Sequence, residues 1–470
     1  MNWSNLLSGE RIRKYTKSGS SNDLRTEFEK DYHRIIGSAS FRRLQDKTQV
    51  FPLDKSDFIR TRLTHSLEVS SFAKSLGQQV GSRIILEKND PEFQTAQKED
   101  ICAILQCAGL IHDIGNPPFG HFGENAIRDW FTANILNKEF EGKKITDILS
   151  KEQLADFYNF EGNTQALRVV SKLHYLIDEH GMNLTKALLG TIIKYPVSSV
   201  EIDKKCGDIR CKKMGYFQAD KEIFDEIQST LGTNGKRHPL SYLLEAADDI
   251  AYKTADIEDA VKKSCISYDT LCAELIKYKE THSVNEKYDQ IVDILKQKYE
   301  KAIKNKCERP DNNAVSNWIV SIQGFMIYAV CDTFMDNYDE IMNGNYKHDL
   351  FYKSDVEDVM NVLGDIAYRY AFTSKSIYKL EIAADTIFNF LLERFVDAII
   401  YYDTDRSLST VNQKIVTLIS EDYKQIYHIF AEGKSEEEKL YLRLLLVTDY
   451  ICGMTDSYAK NLYQELNGVV

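Results

Sequence analysis

The residues best placed to do chemistry in this chain surround the adjacent pair His112-Asp113. An apolar stretch with Ile101, Ile104, Leu105 and Ala108 runs into the pair at helical spacing. His112 continues the stripe of Ile101, Leu105 and Ala108, so it points inward. Gly115, Pro117, Pro118, Gly120 and Gly123 then end the helix and hold a tight loop. That loop carries a second histidine, His121, and a carboxylate, Glu124. A polar cluster at the end of a buried helix is costly unless something pairs with it. A divalent metal does so, because histidine offers a neutral nitrogen and aspartate an oxygen. Taken alone, a His-Asp pair is more often a hydrogen-bonded core histidine beside a surface aspartate. The reading changes because further ligand types share buried faces elsewhere.

Two more helices must bring those ligands. His65 opens a helix with the stripe Val69, Phe72, Ala73, Leu76 and Val80, and it shares that buried face; Arg62, one turn earlier, suits a bound anion. In the stretch 243–256, Leu244, Asp248, Tyr252 and Asp256 recur at intervals of four, on one face. A carboxylate between Leu244 and Tyr252 is badly placed for a core helix and makes sense as a metal ligand. Asp249 lies off that face and reads as solvated. The remaining chain reads as helices too. Residues 23–46 form one charged helix, 47–60 an extended turn around Val50-Phe51-Pro52, 89–99 a polar linker, and 138–158 charged loop and short helix. A helix spans Leu167 to Leu176, and another runs from Leu184 to a forced exit at Pro196. Residues 198–217 form a mobile, lysine-rich loop, and 270–470 a second helical region rich in Tyr, Phe and Ile.

With seven prolines in 470 residues and apolar spacing of three and four throughout, the fold class is all-α. No apolar run reaches about 18 residues, so no membrane span or membrane partner is expected. The first residues carry no signal-peptide pattern, and the nine cysteines form no disulfide framework, which points to the cytoplasm. Cys206 and Cys211 are neighbours, but no second pair completes a zinc site. The net charge of −12 argues against a generic nucleic-acid binder, with a local basic patch left open.

His65, His112-Asp113 and Asp248 match the H…HD…D pattern of HD-domain metal-dependent phosphohydrolases. The segments Phe41-Arg42-Arg43-Leu44-Gln45, Arg62-Leu63-Thr64-His65-Ser66, His112 to His121, Phe160-Glu161-Gly162-Asn163, Lys194-Tyr195-Pro196, Glu245 to Tyr252 and Gly453-Met454-Thr455-Asp456 narrow the match. Together they resemble the bacterial deoxyguanosine triphosphate triphosphohydrolase (dGTPase) family over nearly the whole chain, most strongly between 25 and 260. The resemblance implies an HD-domain helical core over 1–265. It also implies a C-terminal helical region, 266–470, that completes the nucleotide site and makes oligomer contacts.

The activity implied is hydrolysis of dGTP or other dNTPs at the α-phosphate, giving deoxynucleoside and inorganic triphosphate. His65, His112, Asp113 and Asp248 would hold a divalent ion (Mn²⁺, Fe²⁺ or Mg²⁺), with His121 and Glu124 as the catalytic pair beside it. Arg62 and Lys194 would contact phosphates, with Asn116 and Asn163 helping. Tyr195, Tyr252 and Asp256 would line the sugar, Gln45 would reach its hydroxyl, and Phe372 and Glu381 would face the base. Arg443 would reach a base or a neighbouring subunit. A homo-oligomer, hexamer or tetramer, is implied, with a second dNTP or single-stranded DNA as candidate activators.

The chemistry agrees with this assignment. A metal lowers the cost of bringing a nucleophile to clustered phosphate charge. Arg62 and Lys194 would neutralise developing charge. His121, on a loop and held charged by Glu124, would protonate the leaving 5′-oxygen. Two competing readings are an HD phosphodiesterase or nucleotidase and a non-catalytic nucleotide sensor. Lys194-Tyr195-Pro196 and Tyr252/Asp256 argue against the first, and an intact His121–Glu124 pair argues against the second.

Overall fold

The computed structural model describes residues 1–13, 23–49, 59–175, 177–373 and 375–469. Within them the protein is all-α; the strands form one hairpin, Glu139–Phe140 against Lys143–Lys144. Three helices carry the site: the His65 helix (Arg62–Glu87), the His112 helix (Thr95–Ile111) and the Asp248 helix (Pro239–Lys262). Val69, Ala73, Leu76 and Val80 of the first are fully buried, as are Ile101, Leu105 and Ala108 of the second. Phe72 is half-buried at the edge of the stripe. The helices approach closely because residue 109 is glycine: a β-carbon there would lie 2.5 Å from the Cα of Ser70.

Local capping moves several boundaries away from what spacing alone suggests. The His65 helix starts at Arg62, because Thr61 caps it and forms a reciprocal capping box with Thr64. The charged stretch 23–46 is divided. Thr26 and Glu29 box the start of helix Glu27–Ile36, and Ser38 then caps a new short helix, Ala39–Arg43, followed by a 3₁₀ turn to Asp46. The helix expected from Leu167 begins earlier, at Gly162, and passes into a π turn over Val169–Leu173; its expected end, residue 176, lies outside the described residues. Val50-Phe51-Pro52 also lies outside them. On either side of that gap, Thr48 and Thr61 pair in an antiparallel bridge.

The loop over 198–217 is pinned rather than free. The Asp203 N–H donates to the Cys211 carbonyl at 2.9 Å, and that of Ile209 to the Lys347 carbonyl at 3.0 Å. The buried core continues without a break past residue 265, through Val261, Ile266 and Tyr268 into the C-terminal helices. One of these, Pro310–Asp336, is long and apolar enough to cross a membrane, and half of its most apolar window is buried inside the fold. All nine cysteines are free thiols.

C-terminal residues bond directly to the segments around the site helices. Arg168 donates to both oxygens of Asp449 at 2.8–3.0 Å, and Gln165 donates to the same carboxylate at 2.9 Å. The Lys47 ammonium donates to the carbonyls of Asn116 at 2.6 Å and Cys452 at 2.7 Å.

Candidate metal centre and active site

His112 is the residue that ends its helix, where the main chain still follows helical angles. Its Nδ1 bonds to the Gly109 carbonyl at 2.8 Å, which turns Nε2 into the cleft. There Nε2 lies 3.3 Å from Asp248 Oδ1 and 3.6 Å from Asp113 Oδ1. His65 Nε2 lies 3.2 Å from the same Asp248 oxygen, and the two imidazole rings are 5.4 Å apart. Donor atoms of His65, His112 and Asp113 all fall within 4.8 Å of one another. The buried His112 Nε2 has no hydrogen-bond partner. Two inward imidazoles and two carboxylates from three helices, with an orphaned ring nitrogen at their centre, fit a divalent ion.

Cations back both carboxylates. Arg62 pairs with Asp113, and the Lys194 ammonium lies 2.9 Å from Asp248 Oδ2. Burial favours the neutral acids, but Arg62 and His112 hold Asp113 well below the carboxylate range, and Lys194 and His112 do the same for Asp248. Burial opposes charge on His112, yet Asp113 and Asp248 raise its pKa. Asn116 donates to Asp113 Oδ1 at 2.7 Å, so it orients a ligand instead of lying open to phosphate. Asn163 donates to Glu161 at 2.8 Å.

His121 is the first residue of a helix, His121–Asn134, and not a loop residue as its setting suggested. Its Nδ1 lies 3.1 Å from Glu124 Oε2, and the buried Glu124 accepts the Gly162 N–H through Oε1 at 2.8 Å. The hydrogen bond to Glu124 raises the His121 pKa, against partial desolvation by the protein around it. The His121 side chain is 73% exposed. The turn before it is tight. Gly120 has φ +59°, and a β-carbon there would lie 2.4 Å from the Arg62 guanidinium. Arg62 therefore touches both the ligand Asp113 and the turn that presents His121.

Tyr252 stands one helical turn beyond Asp248, with its ring stacked on Phe372 at 6.2 Å. Asp256, one turn further, is buried with both carboxylate oxygens unpartnered, and burial raises its pKa well above the carboxylate range. Such a buried carboxyl has unmet hydrogen-bonding capacity. Tyr195 is buried beside Lys194, and Glu381 lies half-buried on the helix Lys375–Ile399.

Gln45 is exposed on its 3₁₀ turn, because Leu44 takes the inward position. Gln49 is half-buried instead, with an unpartnered Oε1 beside the Thr48–Thr61 bridge. Arg443 is fully buried within its own chain, donating to the Tyr402 carbonyl at 2.8 Å and stacking on Phe140, which leaves it no reach to a base or a neighbour. Asp249 is half-buried rather than solvated, and burial pushes its carboxyl up to about 7. Spacing also missed Lys213, whose ammonium lies 2.8 Å from the buried Glu161. The lysine-rich character of its loop was the available signal.

A family model for the HD domain matches residues 62–192. The chain is 48% identical, over the full length of both chains, to a deoxyguanosinetriphosphate triphosphohydrolase-like protein of Listeria innocua. It is 33% identical to one of Synechocystis, again over the full length of both. It is also 31% identical to a deoxyguanosinetriphosphate triphosphohydrolase of Klebsiella pneumoniae, over 98% of this chain and 97% of that protein.

Proposed function

Because this chain belongs to the deoxyguanosinetriphosphate triphosphohydrolase family of HD-domain hydrolases, we propose that it hydrolyses dGTP, and other dNTPs with it, at the α-phosphate. Water adds to the α-phosphorus, the bond to the 5′-oxygen breaks, and deoxynucleoside and inorganic triphosphate leave. The observation that carries this reading is the His121–Glu124 pair placed, through Arg62, beside the His65, His112, Asp113 and Asp248 donor set.

His65, His112, Asp113 and Asp248 would hold a divalent ion, with Mn²⁺, Fe²⁺ and Mg²⁺ all compatible with mixed nitrogen and oxygen donors. When bound, the ion supplies Lewis-acid charge at the phosphoryl group. Arg62 and Lys194 add fixed positive charge for the triphosphate, while each keeps a ligand carboxylate ionised. The charged His121 imidazole donates its Nε2 proton to the departing 5′-oxygen, and Glu124 keeps Nδ1 occupied so that Nε2 faces the substrate. Tyr252, stacked on Phe372, forms a flat wall for the deoxyribose, and the unpartnered Asp256 carboxyl offers acceptors to a sugar hydroxyl. We take the working form to be a homo-oligomer, hexamer or tetramer.

The test is chromatography of products from each of the four dNTPs, alone, in mixtures and with single-stranded DNA. Triphosphate plus deoxynucleoside supports the proposal. Phosphate or pyrophosphate as the product would favour a different HD hydrolase, and no turnover of any nucleotide would leave only a sensor.

A further inference from the structure

The segment Gly453-Met454-Thr455-Asp456 lies far along the chain from the metal ligands, yet its last residue reaches the catalytic loop. Asp456 is the first residue of the helix Asp456–Leu466 and is 2% exposed. Its Oδ1 accepts the Phe119 N–H at 2.9 Å. Its Oδ2 accepts the Thr48 N–H at 3.0 Å and the Thr48 hydroxyl. Phe119 has φ +60°, and Gly120 follows at φ +59°. A bulky residue in the left-handed region is unfavourable and persists only where its surroundings hold it. Here the holding group is the Asp456 carboxylate, and the next residue but one is His121.

We infer that Asp456 is a positioning residue for His121: by fixing the Phe119-Gly120 turn it aims the imidazole at the leaving oxygen. The other end of the loop is held against the same C-terminal segment, since Lys47 bridges the Asn116 and Cys452 carbonyls. Asn116 in turn holds Asp113, so one loop registers the metal ligand and the proton donor to each other. Asp456 itself touches no reacting atom. The inference rests on the reading of His121 as proton donor.

The test is a double-mutant cycle on the full-length, metal-loaded enzyme. Asp456→Ala frees the turn and should lower kcat by about tenfold to a hundredfold, with KM for dGTP and metal content unchanged. In a His121→Ala background the same change should add nothing further. Asp456→Asn, which keeps one acceptor and the side-chain shape, should restore part of the rate. Thr48→Val removes only the hydroxyl that Oδ2 accepts, leaving the residue 48 N–H and the bond to Phe119 in place, and should leave kcat near the parent value. The His121 imidazole resonance, followed by NMR as a function of pH, should move in Asp456→Ala and stay in Thr48→Val. Equal losses in both backgrounds, or an unmoved His121 resonance, would overturn the inference. If the parent enzyme turns over no dNTP, the functional reading fails, while the resonance still decides whether Asp456 positions His121. If Asp456→Ala does not fold, the Asp456→Asn cycle carries the same comparison.

Discussion

The Lys194 ammonium sits on Asp248 Oδ2, while His65 and His112 both face Oδ1 of the same carboxylate. One aspartate thus divides its two oxygens between a fixed cation and the metal pocket. Lys194, with His112, holds that carboxylate well below the usual carboxylate range. His112→Ala and Asp248→Ala should therefore fold with native helix content by circular dichroism but lose their metal in elemental analysis. Full occupancy in both variants would remove the metal assignment.

His121→Ala should keep its metal and still bind dGTP, yet release triphosphate about a hundred- to ten-thousand-fold more slowly, as loss of a general acid does. A substrate whose 5′-leaving group needs no proton should recover much of that rate. Comparing the two substrates across parent and variant checks this, and no recovery would mean that His121 only positions.

The pH profile has a definite sign. The His121 pKa is raised, first by its hydrogen bond to Glu124, so the charged acid survives above the ordinary imidazole range. kcat should fall as pH rises through that raised value, and Glu124→Gln should move the falling limb to lower pH. The same pair links to stability in opposite directions. The His121 contribution is complete below the unfolded imidazole pKa and fades as pH rises through the folded one. Glu124 is held down to about 2 by His121 against burial, so its contribution is present above the ordinary carboxylate range and fades as pH falls towards about 2. A rate profile whose alkaline limb ignores Glu124→Gln would contradict the assignment.

Tyr252→Ala removes the ring that stacks on Phe372 one turn from Asp248. Discrimination between dGTP and GTP should weaken in competition assays, if this ring is the wall that excludes a 2′-hydroxyl. An unchanged preference would place the sugar gate elsewhere.

Arg168 is buried between Asp449 and Asp220. Arg168→Ala should cost about 3–5 kcal/mol, the usual penalty for leaving buried charge uncompensated. Denaturant unfolding followed by circular dichroism measures it; a shift within error would mean that water replaces the guanidinium.

The convergence of His65, His112 and Asp248 was legible because it obeys helical periodicity: each sits on an apolar stripe, and the stripes meet. Periodicity could not supply contacts between distant segments. Lys213 enters from an irregular loop, and Asn116 reads as a phosphate contact until its amide is found on Asp113. Gln45 and Gln49 differ by one helical turn in sequence, but the chain leaves its 3₁₀ turn between them, so only the later one is turned inward. His121 looks like a loop residue because the glycines and prolines before it conceal that a helix begins there.

Lys47 reaches Cys452 across a separation of 405 residues, and Arg168 reaches Asp449 across 281. These bonds cannot form until residues 449–456 have been synthesised. The helices that carry His65, His112 and Asp248 are synthesised much earlier, but the loop between His112 and His121 closes only when the helices Glu436–Cys452 and Asp456–Leu466 dock. A chain without residues 449–456 would therefore carry the candidate ligands but lack a finished loop to present His121.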